Sequence, residues 1–136
     1  MSFLLDTNVV SELRKGRRVD PNVREWFRTV DDDALYLSVL VIGEIRQGIE
    51  RLRVRDAPAA ANLERWLKAL VESYGERVLP VDAEVADRWG RLNVPDPISA
   101  VDGLLAATAL VHSLTLVTRN VRDVRRTGVL HLDPFR

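Results

Sequence analysis

The feature that most narrows what this chain can become is an alternation: short aliphatic runs, each leading directly into a stretch with helical spacing. A parallel strand pair needs a long crossover, usually a helix, so this alternation is the pattern of βαβ units. Five runs qualify as strands, at residues 3–5, 35–38, 78–81, 115–118 and 129–132. The first, third and fourth lack polar alternation, which predicts strands covered on both faces. The clearest helical stripe is Leu63, Trp66, Leu67, Leu70, Val71 and Tyr74, with Pro58 suited to its first turn and Gly75 to its end. Residues 39–53 and 99–112 read as two further helices, with 93–97 as the loop before the second. No linker, repeat or low-complexity tract interrupts the pattern. The expected architecture is one α/β domain over residues 1–136, a central mostly parallel sheet of four to five strands flanked by helices on both faces.

Composition limits the function classes. The absence of cysteine excludes disulfides and thiolate metal sites. Asp6 falls too early for a signal-peptide core, and the longest apolar-rich run, 34–42, is far short of the roughly 20 residues a membrane span needs, so a cytoplasmic protein without membrane attachment is expected. Net charge is zero, but its distribution is uneven. Among 20 basic residues only Lys15 and Lys68 are lysines, which places nearly all positive charge on guanidinium groups suited to bidentate phosphate binding. These cluster at Arg14 to Arg18, Arg46 to Arg55 and Arg119 to Arg126. Each cluster is equally readable as a solvated helix face.

The acids are more specific. Asp6 follows the first strand, at the carboxyl edge where open α/β sheets build their sites, although it could instead cap the next helix. Glu44 lies among Val41, Ile42, Gly43 and Ile45, and Asp102 has Ile98, Val101, Leu105 and Ala106 as neighbours at helical spacing. Carboxylates in such surroundings either reach solvent at a helix edge or have a partner. One arrangement accounts for all three: convergence around a divalent cation. Two carboxylates about 5 Å apart repel by roughly 3 kcal/mol at an effective dielectric near 20, so the cluster must bind a metal, bind an arginine or take up protons. Oxygen-only ligation points to Mg²⁺ or Mn²⁺. His112 and His131 form no H-E-x-x-H pattern. After the fourth strand come Thr118, Arg119 and Asn120, then Asp123. Asn120 can coordinate through its carbonyl but adds no charge, and Asp123 either supplies that charge or serves as a first-turn acid of a short helix.

The run L-L-D-T-N-V-V-S-E-L at 4–13, S-x-x-x-x-G-E-I at 38–45, D-G-L-L-A-A-T-A at 102–109, T-R-N-V-R-D at 118–123 and the closing L-D-P-F at 132–135 resemble, in order and spacing, the PIN-domain nucleases, specifically VapC-type toxins. The resemblance implies a metal-dependent endoribonuclease that inhibits growth, with Asp6, Glu44 and Asp102 as metal-binding acids. Thr7 would assist through its hydroxyl. Asn120 stands where the family often has a fourth acid, with Thr118 and Asp123 as accessory candidates. It also implies an RNA substrate, a homodimer, and a VapB-type antitoxin that pushes a side chain, often an arginine, at the acidic site. Trp66 and Tyr74, with Trp26 and Phe27, are candidates for that partner's apolar groove, although an aromatic stripe at helical spacing is more often ordinary core. Arg46, Arg119 and Arg122 are the candidate RNA-binding arginines.

Two rivals stand beside this reading. Receiver-like and dehalogenase-like phosphotransfer needs a lysine near the phosphoryl group and is disfavoured, because neither lysine follows a late strand and no D-x-D follows the first. Nucleotide loops of the G-x-G-x-x-G or G-x-x-x-x-G-K type are absent. The other rival is a catalytically weak or inactive PIN-fold binding module whose acidic site docks a partner's arginine, a reading that Asn120 supports.

Overall fold

The computed structural model describes all residues, 1–136. Five parallel strands form one sheet: β1 (Phe3–Leu5), β2 (Leu35–Ser38), β3 (Val78–Leu79), β4 (Thr115–Val117) and β5 (His131–Leu132), in the order β3-β2-β1-β4-β5. β1 is central, with Phe3 level with both Leu35 and Thr115. The chain steps outward from β1 to β3 and then returns across β1 to β4, which makes the carboxyl ends of β1 and β4 the point where strand order reverses. Ligand sites of open α/β sheets sit at such a reversal.

Seven helices fill the crossovers: α1 (Thr7–Leu13), α2 (Pro21–Arg28), α3 (Val39–Arg53), α4 (Ala57–Tyr74), α5 (Ala83–Leu92), α6 (Ala100–Val111) and α7 (Val121–Val124). Right-handed crossovers running in opposite directions place α1 to α4 on one face and α5 to α7 on the other. Helix contacts follow this division, with α3 against α4 and α5 against α6 the most extensive. Local signals fix the helix ends. Ser38 Oγ accepts from Leu40 N, Asp82 caps α5 through Val85 N, and Asp56 caps α4 through Ala59 N, with Pro58 in that helix's first turn. Gly75 ends α4 with φ 53°, a backbone conformation that disfavours a Cβ.

β1 and β4 are buried throughout, as the lack of polar alternation predicts. β3 differs: it is half-buried, only two residues long, and lies at the sheet's edge, where Pro80 has no amide hydrogen to continue a ladder. β5 begins at His131 instead of 129, because the turn through Gly128, φ 80°, directs Val129 into the core before pairing starts. The core unites Leu4, Leu5, Leu37 and Leu116 of the sheet with Val41, Ile45 and Ile49 of α3 and Leu105, Ala106 and Ala109 of α6.

Gly103 lets α6 approach α5. A Cβ there would lie 2.7 Å from Ile98 Cγ2 and 3.0 Å from Trp89 Cδ1. Trp89 Nε1, buried without a hydrogen-bond partner, would lie 3.1 Å from the same Cβ. Gly103→Ala is therefore expected to destabilise the fold by about 1–3 kcal/mol, read as a lower urea midpoint. An unchanged midpoint would show that the α5–α6 contact is not tight.

Candidate active site

Asp6 directly follows β1, and its amide donates to Val117 O at 2.9 Å, extending the pairing of the two central strands to the rim. Its carboxylate is 5% exposed and receives three donors: Thr7 N at 2.7 Å, Thr118 Oγ1 at 2.7 Å and Asn8 Nδ2 at 3.3 Å. Thr118 is fully buried, and its hydroxyl also accepts from Asn120 N at 3.0 Å, which joins the end of β4 to the start of α7. Asp6 thus caps α1 and faces the site at once, so the two roles are compatible.

Glu44 and Asp102 arrive from opposite layers, on α3 and α6, and both are half-buried. Thr7 Oγ1 donates to Glu44 Oε1 at 2.5 Å, and Ser99 Oγ donates to Asp102 Oδ2 at 2.8 Å. All three acids, with Thr7, Asn8 and Asn120, line one open cavity of about 660 Å³ above the strand reversal. With each carboxylate turned onto its own donor, no three acids or histidines converge at ligating distance as the side chains stand. Their charges nevertheless act on one another. Burial raises the Asp6 carboxyl above its ordinary value, the Thr118 and Thr7 hydrogen bonds oppose this, and the negative charges of Asp102 and Glu44 push it further up. A common cavity, an oxygen-only donor set and a buried carboxylate repelled by two others fit a hard divalent cation.

The remaining candidates divide. Asn120 reaches the cavity, whereas Asp123, three residues further round α7, lines a neighbouring cleft with Arg122; Asp102 borders both. Arg119 sits at the rim, its guanidinium 4.0 Å from the Phe135 ring centre and its amide donating to Asn8 Oδ1 at 3.3 Å. Arg46 does not reach the acids. Two residues after Glu44 is about 200° round a helix, so Arg46 faces α4, paired with Glu50 at 3.2 Å and Glu64 at 3.4 Å. The residues that do share the Glu44 face are Gln47 and Arg51, three and seven positions on, and both line the cavity. Helical spacing from Glu44 would have found them, as spacing of three back from Asp102 would have found Ser99. His112 is exposed, and half-buried His131 contacts Val129 O through Nδ1 at 3.0 Å, away from the acids. Of the four aromatic candidates for a groove, Phe27, Trp66 and Tyr74 line a separate cavity of about 430 Å³, while Trp26 packs edge-on against Phe3, ring centres 5.3 Å apart.

These features define a doubly wound α/β protein with a carboxylate-lined site at its strand reversal. The family described as PIN domain matches residues 3–130, and the chain belongs to that family. It is 32% identical over 140 residues to the protein named Toxin FitB of Neisseria gonorrhoeae, covering 98% of each chain. It is 28% identical over 142 residues to the VapC ribonuclease Y4jK of Sinorhizobium fredii, covering 98% of this chain and 97% of that one. Among solved structures, FitAcB from Neisseria gonorrhoeae superposes with a TM-score of 0.84 at 30% identity, covering 98% of this chain and 99% of that chain.

The raised carboxyl of Asp6 has a stability consequence. Below the ordinary Asp value of 3.8 the group is neutral whether the chain is folded or not. As pH rises past that value the unfolded chain ionises first, so stability falls until the folded carboxyl has ionised too. Asp6→Asn removes this loss. In EDTA, the melting temperature of the variant relative to the wild type should rise as pH increases from the ordinary Asp value towards neutrality. A difference independent of pH, or one that shrinks as pH rises, would contradict the assignment.

Proposed function

We propose that this chain is a metal-dependent endoribonuclease that acts as a growth-inhibiting toxin and is neutralised by a VapB-type antitoxin. The observation that carries the reading is the gathering of Asp6, Glu44 and Asp102 around one open cavity at the carboxyl ends of β1 and β4. Mg²⁺, or Mn²⁺ in its place, held by these acids would supply Lewis-acid stabilisation of an attacked phosphodiester and a more acidic water. The chain's own side chains prepare the place. Thr118 and Thr7 hold Asp6, the Thr7 hydroxyl orients Glu44, and Ser99 orients Asp102. Arg51 and Gln47 offer donors on the cavity wall for phosphate oxygens, and Asn120 contributes an amide without adding repulsion. RNA as substrate is supported by the VapC ribonuclease relative, and the toxin role by the FitB relative.

The antitoxin reading has its own support in the cavity between α1, α2 and α4, lined by Phe27, Trp66, Leu70 and Tyr74 and bordered by Arg14 and Arg77. Asp32 and Asp33 line the same cavity beside the two arginines, so an amphipathic helix with charges of both signs on its flanks suits that lining. Arg77 lies over the Tyr74 ring at 4.7 Å, and Arg14 lies 6.0 Å from the Trp66 ring centre, so the cations border the aromatic wall. A homodimer and a cytoplasmic location complete the proposal on the family resemblance. No helix is long and apolar enough to cross a membrane.

The test is cleavage of labelled cellular RNA, with sequencing of the new ends to identify the target. Cleavage is expected with Mg²⁺ or Mn²⁺ and to stop in EDTA. Asp6→Ala should lower the rate at least about a hundredfold, and Thr118→Val, which removes Asp6's buried hydroxyl donor together with the acceptor of the Asn120 amide, about ten- to a hundredfold. Full activity in Asp6→Ala would overturn the catalytic reading. An inert wild type that binds an arginine peptide at the acids would favour the binding-module alternative.

A further inference from the structure

Beside the acidic cavity lies a second cleft, of about 590 Å³, lined by Arg122, Arg125 and Arg126 of the α7 region together with Ser99, Asp102 and Asp123. Ser99 and Asp102 belong to both depressions, so a strand leaving the acids over Asp102 passes directly into the arginines. The three guanidinium groups are not alike. Arg126 is tied down, with Nη2 donating to Asp96 O at 2.5 Å and Nη1 to Leu92 O at 3.5 Å, which fixes the cleft to the loop before α6. Arg122 and Arg125 are exposed, donate no side-chain hydrogen bond, and form no ion pair with Asp102, Asp123 or any other acid. Arg46 and Arg53, by contrast, are held by Glu50 and Glu64, and what sets Arg122 and Arg125 apart from the other unpaired arginines is that they line a cleft sharing Ser99 and Asp102 with the acidic cavity. Two unpaired forks at the edge of an acidic site are available to an external anion.

We propose that this cleft is a second phosphate seat. Arg122 and Arg125 grip a backbone phosphate of the RNA strand next to the one presented to Asp6, Glu44 and Asp102, and Arg126 is the strut that holds the cleft open. The proposal rests on the ribonuclease reading for its ligand, and it deepens that reading by giving the strand a direction across the rim, over Asp102 towards α7. It also gives Asp123 a role distinct from metal binding. Asp123, an exposed residue, lines the phosphate path, where its charge limits affinity and so favours release of the cut strand.

The experiment is a fluorescence anisotropy titration of a fluorescein-labelled 12-nucleotide RNA of mixed sequence, in EDTA so that binding is read without cleavage. Three proteins are compared: wild type, the double variant Arg122→Gln and Arg125→Gln, and a control, Arg17→Gln and Arg18→Gln, which removes the same charge from an exposed turn away from the cleft. All four positions are exposed, and circular dichroism checks that each protein is folded. The cleft variant is expected to bind about tenfold more weakly, with the slope of log affinity against log salt reduced by about 0.7, the value for one single-strand phosphate. The control should stay within about twofold of wild type. Equal affinity of cleft variant and wild type, an equal loss in the control, or no RNA binding by wild type would each overturn the proposal. A protein that shows the cleft-dependent loss yet cuts no RNA in Mg²⁺ would refute the ribonuclease reading and leave the phosphate seat standing.

Discussion

Everything at the rim depends on the hydrogen bond from Thr118 Oγ1 to Asp6 Oδ2, 2.7 Å long and buried, which joins the ends of two strands 112 residues apart in sequence. A buried hydrogen bond to a charged group stabilises by about 1.5–3 kcal/mol, and removing one partner costs more than the bond gains. Here it does two things. It locks the register of β1 and β4 beyond their last paired residues, and it holds a carboxylate in a place that burial and two neighbouring charges make unfavourable. A chain under selection for stability alone would place a neutral residue at position 6. Retaining an acid there, supported by Thr7 and Thr118, stores unfavourable electrostatics that a cation would relieve.

The other two acids are carried to the rim by helix packing, and Thr7 and Ser99 then orient their carboxylates. Val41, Ile45 and Ile49 lock the rotation of α3 against the sheet, and that rotation turns Glu44 to the cavity and Arg46 away from it. On α6 the buried face of Leu105, Ala106 and Ala109 does the same for Asp102, while Gly103 allows α5 to come close. The site is thus a consequence of the core: two amphipathic helices on opposite layers and one strand end have their polar positions left over at the same point of the rim. The basic groups are arranged around this centre instead of within it, apart from Arg51.

The same physics decides what the sequence disclosed. β1, β2 and α3 were legible to the residue, because a buried aliphatic run followed by Ser38 and a strict apolar stripe allows one reading. The bounds of α1, α2 and α5 are not marked in the sequence, because these helices are short and amphipathic with polar faces that periodicity alone does not separate from loops. The edge strands were overestimated, since pairing on one side ends earlier than hydrophobicity does. Asp6, Glu44 and Asp102 stood out as charges in apolar surroundings, a local property. Arg46 turns away from the acids because adjacency in sequence is not adjacency on a helix, whereas Asp123 takes the second of its two readings, a first-turn acid of the short helix α7. The support given by Thr118 to Asp6 depends on pairing between distant strands, and no local pattern contains it.

The central claim is that three acids from three elements act on a single cation. Its most direct measurement is Mn²⁺ binding, followed by electron paramagnetic resonance of the free ion, in the wild type and in Asp6→Asn, Glu44→Gln and Asp102→Asn. The account predicts one tight site in the wild type and a loss of affinity of about tenfold or more in each variant. Retention of wild-type affinity by any one of the three would remove that residue from the site, and retention by all three would contradict the account.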